Sequence, residues 1–152
     1  MKKLLSLIFV SLLLSGSANA TMKGIFEVEL VVEILGPPSK ECSITEQKVE
    51  TAVKYILQNS KIKLKEDPYN PLLYVKVVVV KTGGVCTTST RISLLSLYAK
   101  DPLGLENSGR FVFYSDEHIT SGGPLSTFGN SAIGAMEEMM KKLVVEHHED
   151  NK

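Results

Sequence analysis

The chain is poor in the features that usually announce a function. Arginine occurs only at Arg91 and Arg110, and 17 basic residues face 17 acidic ones. Nucleic-acid partners are held by a concentrated basic face, which this balance does not supply. Cysteine occurs only at Cys42 and Cys86, far from the Cys-x-x-Cys spacing of a reactive dithiol. Beyond residue 20 no apolar run is long enough to cross a bilayer as a helix. Internal repeats and low-complexity segments are lacking. So is any assembled catalytic constellation, and no enzyme, cofactor or metal is expected.

The first 20 residues are of a different character. Lys2-Lys3 is followed by the apolar stretch from Leu4 to Leu14 and by Ser15-Gly16-Ser17-Ala18-Asn19-Ala20. This is the layout of a secretory leader, with small residues where a signal peptidase cuts. Cleavage is expected after Ala20, with no cysteine there to carry a lipid and no stable membrane insertion afterwards. The leader looks bacterial, so the product is expected in the periplasm or outside the cell. Residues 21–152, about 130 in all, suffice for one domain with its own core. Loss of Lys2 and Lys3 leaves 15 basic and 17 acidic residues, a net of about −2. In an oxidising compartment, Cys42 and Cys86 are expected to form a disulfide.

The organising stretch runs from Leu72 to Ala99. Leu73, Val75, Val77 and Val79 share one face by the two-residue period, and the run is rich in β-branched valine. Leu72, Tyr74, Lys76, Val78 and Val80 form a mixed second face. Gly83-Gly84 supplies the positive φ of a tight hairpin turn. A phosphate-cradling glycine pair would instead lead into a helix, whereas Thr87-Thr88-Ser89-Thr90 follows as a second strand.

Gly24 to Leu35 is predicted as the first strand. Phe26, Val28, Leu30, Val32 and Ile34 alternate with Glu27, Glu29 and Glu33. The glutamates stand in a row ~7 Å apart, a solvated face rather than the converging ligands of a cation site. Gly36-Pro37-Pro38-Ser39 ends the strand. Ser43 and Glu46 have the spacing of a capping box, opening a helix with Ile44, Val49, Val53, Ile56 and Leu57 inward. Ile62 to Leu64 is predicted as a short edge strand guarded by Lys61, Lys63 and Lys65.

After the hairpin comes a polar connection from Lys100 to Gly109, with a turn at Pro102 and Gly104. Arg110 to Tyr114 is predicted as a strand, and Ser115 to Asn130 as an irregular loop. This loop is the candidate ligand or partner site, with His118, Ser121, Gly122, Gly123, Ser126 and Asn130. Two chemistries are conceivable there. His118 and Asp116 with Ser121 or Ser126 would make a small hydrolase. An anion could sit at the amino end of the next helix, capped by Asn130. The closing helix is predicted from Asn130 to His148, with Ile133, Met136, Met140, Leu143 and Val144 buried. Glu137–Lys141 and Glu138–Lys142 are its i,i+4 pairs. Met139 and Met140 serve either a core or a partner surface. Glu146-His147-His148-Glu149-Asp150 is read as a fraying tail, since a zinc site needs three or four fixed ligands.

Taken together, the leader, a first strand, a capped helix, Pro71-Leu72-Leu73-Tyr74-Val75-Lys76-Val77, the Gly83-Gly84 turn, the Gly/Ser-rich segment and a C-terminal helix resemble a family of small exported bacterial proteins of unknown function. The resemblance spans Thr21 to Asn151 and implies a fold without an activity. The expected architecture is α+β: a two-layer sandwich in the order β-α-β-β-β-β-α. A mainly antiparallel sheet of four or five strands lies under two helices on one face; a mixed sheet buried on both faces is the alternative. The expected function is that of a non-enzymatic periplasmic binding or envelope-complex accessory protein. Its contact surface would be a sheet face carrying Tyr74, Val78 and Val80; the hydrolase is the alternative.

Overall fold

The computed structural model describes residues 21–96 and 111–152. The expected leader, the 97–99 end of the second hairpin strand, the turn at Pro102 and the strand start at Arg110 lie outside the described residues. In order come β1 (Glu27–Leu35), a 3-10 turn (Pro37–Ser39), α1 (Glu46–Leu57), β2 (Lys63–Leu64), β3 (Leu72–Thr82), β4 (Val85–Ser96), β5 (Phe111–Ser121) and α2 (Leu125–Asp150). This is the expected α+β succession.

The sheet is mixed, in the order β2-β1-β3-β4-β5. β1 runs parallel to both β2 and β3, while β3–β4 and β4–β5 are antiparallel. The antiparallel pairings are the longer ones. Parallel neighbours need a long crossover, and the segment carrying α1 supplies it. The β3–β4 hairpin turns on Gly83 and Gly84, both at positive φ (58° and 84°), a conformation that favours glycine.

Each strand sorts its side chains by the two-residue period. Leu73, Val75, Val77 and Val79 of β3 are buried, as are Val28 of β1 and Ile92 and Leu94 of β4. Against them pack Val49, Val53 and Leu57 of α1 and Phe128, Met136, Met140 and Leu143 of α2. Met139 and Met140 both fill this core. The unbranched thioether adapts to the irregular space between helix and sheet.

Two helix starts differ from expectation. The N-cap of α1 is Thr45, whose Oγ1 accepts from Lys48 N at 3.3 Å. Ser43 instead sits at φ 59°, with its backbone pressed against α2. A Cβ on Gly129 would come within 2.5 Å of the Ser43 carbonyl oxygen. The second helix begins at Leu125, not Asn130, and Asn130 caps nothing because it lies inside the helix. Burial of Phe128 to 1 % exposure rewards extending the helix backward through residues of modest propensity. The C-terminal run is not a fraying tail either: α2 continues to Asp150, and His147 is buried. Of the expected i,i+4 pairs neither forms. Lys141 bonds Glu138 at 2.6 Å, and Lys142 reaches across to Asp116 of β5 at 3.4 Å.

Cys42 and Cys86 form a disulfide with their Cα atoms 6.0 Å apart. It ties the approach to α1 to the start of β4, next to the hairpin turn. Cysteine-to-serine replacement at both positions is expected to lower stability by up to ~4 kcal/mol on the loop-entropy account. Urea midpoints of the two proteins check this, and coincident midpoints would contradict a structural role.

The two α2 glycines predict opposite signs. Gly129→Ala must displace the Ser43 backbone and should melt lower. Gly134→Ala meets nothing within 4 Å and should melt higher, since alanine is the better helix former by ~1 kcal/mol. Thermal denaturation of both variants decides it.

Candidate functional site

The residues expected to form one loop are distributed over three elements. His118 and Ser121 stand on β5, Gly122 and Gly123 form the turn at φ 91° and 86°, and Ser126 and Asn130 belong to α2. β5 is therefore longer than expected: the ladder with β4 continues from Phe111 to Ser121. This separates His118 from Ser121, one of its two candidate serines. His118 and Ser121 are three residues apart on a strand, so they point to opposite faces of the sheet. Ser121 Oγ is engaged with Thr87 Oγ1 at 2.8 Å. Asp116 shares the His118 face, but its carboxylate meets Lys142 and accepts from Glu117 N at 2.9 Å. A histidine general base needs both a nucleophile and an orienting partner within reach. Asn130 lies in a separate groove between the helices, with Gln47, Thr51, Tyr55 and Ile133.

Two of the three glutamates of β1 are engaged in ion pairs. Glu27 pairs with Lys65 at 2.8 Å and Glu33 with Lys76 at 3.7 Å, and the Tyr74 hydroxyl donates to Glu33 Oε2. No cluster of three or more metal-ligating side chains occurs among the described residues.

What the fold does bring together is the sheet face turned away from the helices. Its central row reads Glu33, Lys76, Arg91, Glu117 across β1, β3, β4 and β5. Glu33 pairs with Lys76, and Arg91 Nη2 meets Glu117 Oε2 at 2.5 Å. Ser89 Oγ donates to Glu117 Oε1 at 2.8 Å. One row toward the hairpin turn stand Leu35, Val78, Ser89 and Ile119, followed by Val80 and Val85. Val80 is 53 % exposed and Ile119 66 %. At the opposite end of the face Ser93 and Leu95 are buried. Among the described residues Val80 and Ile119 are the most exposed apolar side chains of this face, and both lie toward the hairpin end. Tyr74, expected in the contact surface, is half-buried and belongs to the polar row through Glu33.

A second concave feature lies between β5 and the end of α2. This cleft of about 630 Å³ is lined by Tyr114, Asp116, Lys142, Glu146, Glu149 and Asp150, together with Thr21 and Met22. Burial, reinforced by the nearby charges of Asp116 and Glu146, pushes the Tyr114 phenol far above its ordinary pKa. It stays protonated, and its hydroxyl donates to Met139 O at 3.4 Å. Sequence reading missed this cleft because its two walls are far apart in the chain and no local pattern joins them.

No family model matches the chain, and no curated protein matches it. The solved structures it is similar to are distant ones, two of them as follows. The N-terminal domain of Thermus thermophilus Protein Y is 13 % identical, with a TM-score of 0.36, over 76 % of this chain and 98 % of that one. A minor lipoprotein from Acinetobacter baumannii is 10 % identical, with a TM-score of 0.33, over 83 % of this chain and 93 % of that one. Likeness at this level carries no argument about function.

The Glu117 network predicts a titration. Hydrogen bonds from Arg91 and Ser89, then the Arg91 charge, hold the Glu117 carboxyl below its ordinary value of 4.5. A depressed carboxylate contributes stability above its unfolded pKa, and that contribution is lost as the pH falls through the folded value. Carboxyl NMR titration should therefore place the Glu117 midpoint below that of a free glutamate. Arg91→Ala should return it upward; a midpoint that ignores Arg91 would contradict the pairing.

Proposed function

We propose that the chain is a non-enzymatic, exported protein of the bacterial envelope or periplasm, acting by binding another protein or a ligand through the hairpin end of its open sheet face. The observation that carries the reading is one-sided coverage. Two helices bury one face of the sheet, while Leu35, Val78, Val80 and Ile119 share the other, with Val80 and Ile119 more than half exposed. Contiguous exposed apolar side chains rimmed by polar ones commonly mark interaction surfaces. The leader-like first 20 residues and the disulfide support an oxidising destination. The family of small exported proteins that the sequence resembles belongs to the same reading.

A photo-crosslinking side chain at position 80 or 119 tests it in the native compartment. Both positions are expected to yield the same crosslinked species, and a control at Tyr55, exposed on α1, is not. Val80→Glu with Ile119→Glu should abolish the species without shifting the melting temperature. Equal crosslinking from all three positions, or none from the face, would remove support for this surface.

A further inference from the structure

Residues 21–26 are tied to the far end of the chain. Met22 is 2 % exposed. Its backbone N donates to Asp150 Oδ2 at 2.7 Å, and its carbonyl accepts from Asn151 Nδ2 at 3.2 Å. Gly24 N donates to Asn151 Oδ1 at 2.8 Å. His147 Nε2 bonds the Ile25 carbonyl at 2.5 Å, and its ring meets Phe26 edge-on at 5.8 Å. Thr21 is thereby delivered to the wall of the acidic cleft.

The cleft has a marked electrostatic bias. Asp116 comes from β5, and Glu146, Glu149 and Asp150 from α2; Tyr114 is neutral, and Lys142 faces Asp116. Among the described residues Glu146 and Glu149 form no ion pair. The last turn of α2 adds the partial negative charge of its terminal carbonyls. Such a place favours a cation, and Thr21 is among the residues that line it.

We propose that this cleft seats the mature amino terminus, so that removal of the leader itself tightens the folded domain. Hydrolysis of the Ala20–Thr21 peptide bond by the export peptidase breaks the amide C–N bond. Water supplies the hydroxyl that makes Ala20 a carboxylate, and Thr21 is left with an ammonium group. Before the cut the same nitrogen is a neutral amide and brings no charge to the cleft. After it, a positive charge stands among the carboxylates, one residue from the Met22–Asp150 bond. The processed chain is the more stable form, and the clasp of residues 21–26 on α2 is tightest only in it. The inference rests on the export reading, with cleavage after Ala20.

The test uses the full processed protein recovered from its compartment. Its mass fixes the first residue. Thr21 is expected; any other amino terminus overturns the cleavage position and this proposal together. The protein beginning at Thr21 is then acetylated at its α-amine near pH 6.5, where that amine (pKa ~8) reacts well ahead of lysine (pKa ~10.4). The acetylated form is expected to melt ~1–4 °C lower at low salt. An ammonium favoured by the fold stabilises fully below ~8, and the gain is lost as the pH rises through its raised folded value. The difference between the forms should shrink accordingly in alkaline buffer. It should also shrink in Glu146→Gln, and further in a variant that adds Asp150→Asn, which keeps an oxygen for Met22 N while removing the charge. Equal melting of free and acetylated protein, or an undiminished difference in both variants, overturns the clasp and leaves the export reading standing.

Discussion

Everything in this molecule is set by how closely the crossing from β1 to α1 lies on the β3–β4 hairpin. Gly36 sits at φ 110°, and a Cβ there would come within 2.0 Å of the Val79 carbonyl oxygen. Six residues later Cys42 is bonded to Cys86, beside the hairpin turn. One residue further, the Ser43 backbone lies against Gly129 of α2, again with no room for a side chain. Three close approaches within eight residues leave the crossing no alternative path. It returns over one face of the sheet, α1 is launched on that face, and α2 packs beside it. The parallel pairing of β1 with β3 and the one-sided helical layer are two results of the same constraint.

The order of elements could be read from local pattern because the strong strands alternate cleanly. β1 and β3 carry apolar side chains at every second position, and the Gly83-Gly84 turn punctuates the hairpin. β5 was half lost because it is the edge strand. From Ser115 to Ser121 it meets water on much of both faces, so Ser115, Asp116, Glu117 and His118 show no two-residue period. Its extended state is imposed by the ladder to β4, a partner invisible in a window of ten residues. Asp116 even resembles a loop residue for a structural reason. Its carboxylate accepts from Glu117 N, occupying a backbone donor that an unguarded edge would offer to another chain.

The beginning of α2 was obscured by the opposite effect. Ser126, Thr127, Gly129 and Asn130 are weak helix formers, and Asn130 is a good cap in isolation. Phe128 and Gly129 override that preference through burial and contact with Ser43. The cap of α1 moved for a related reason: Ser43 is held at positive φ by its neighbours, so Thr45 is left to accept from the first free donors. The disulfide could be anticipated, because two cysteines have only one intramolecular pairing. The acidic cleft could not, because it joins Met22 to Asp150 across almost the whole domain.

The distribution of charge on the open face narrows what can bind there. Lys76 and Arg91 sit side by side in the central row, flanked by Glu33 and Glu117, and each cation is paired within its own face. A charged partner would have to displace a carboxylate already in place, for little gain at solvent-exposed positions. A second copy stacked face to face about a two-fold through the middle of this row would set cation over cation and carboxylate over carboxylate, whether that axis runs along the strands or along the row. Charge opposes both of these centred arrangements. On the proposed reading, contact on this face would fall to the rows beyond, where Leu35, Val78 and Ile119, and then Val80, offer apolar area and Ser89 is already turned toward Glu117. A partner of the proposed kind would be apolar where it touches that edge and neutral where it passes the central row.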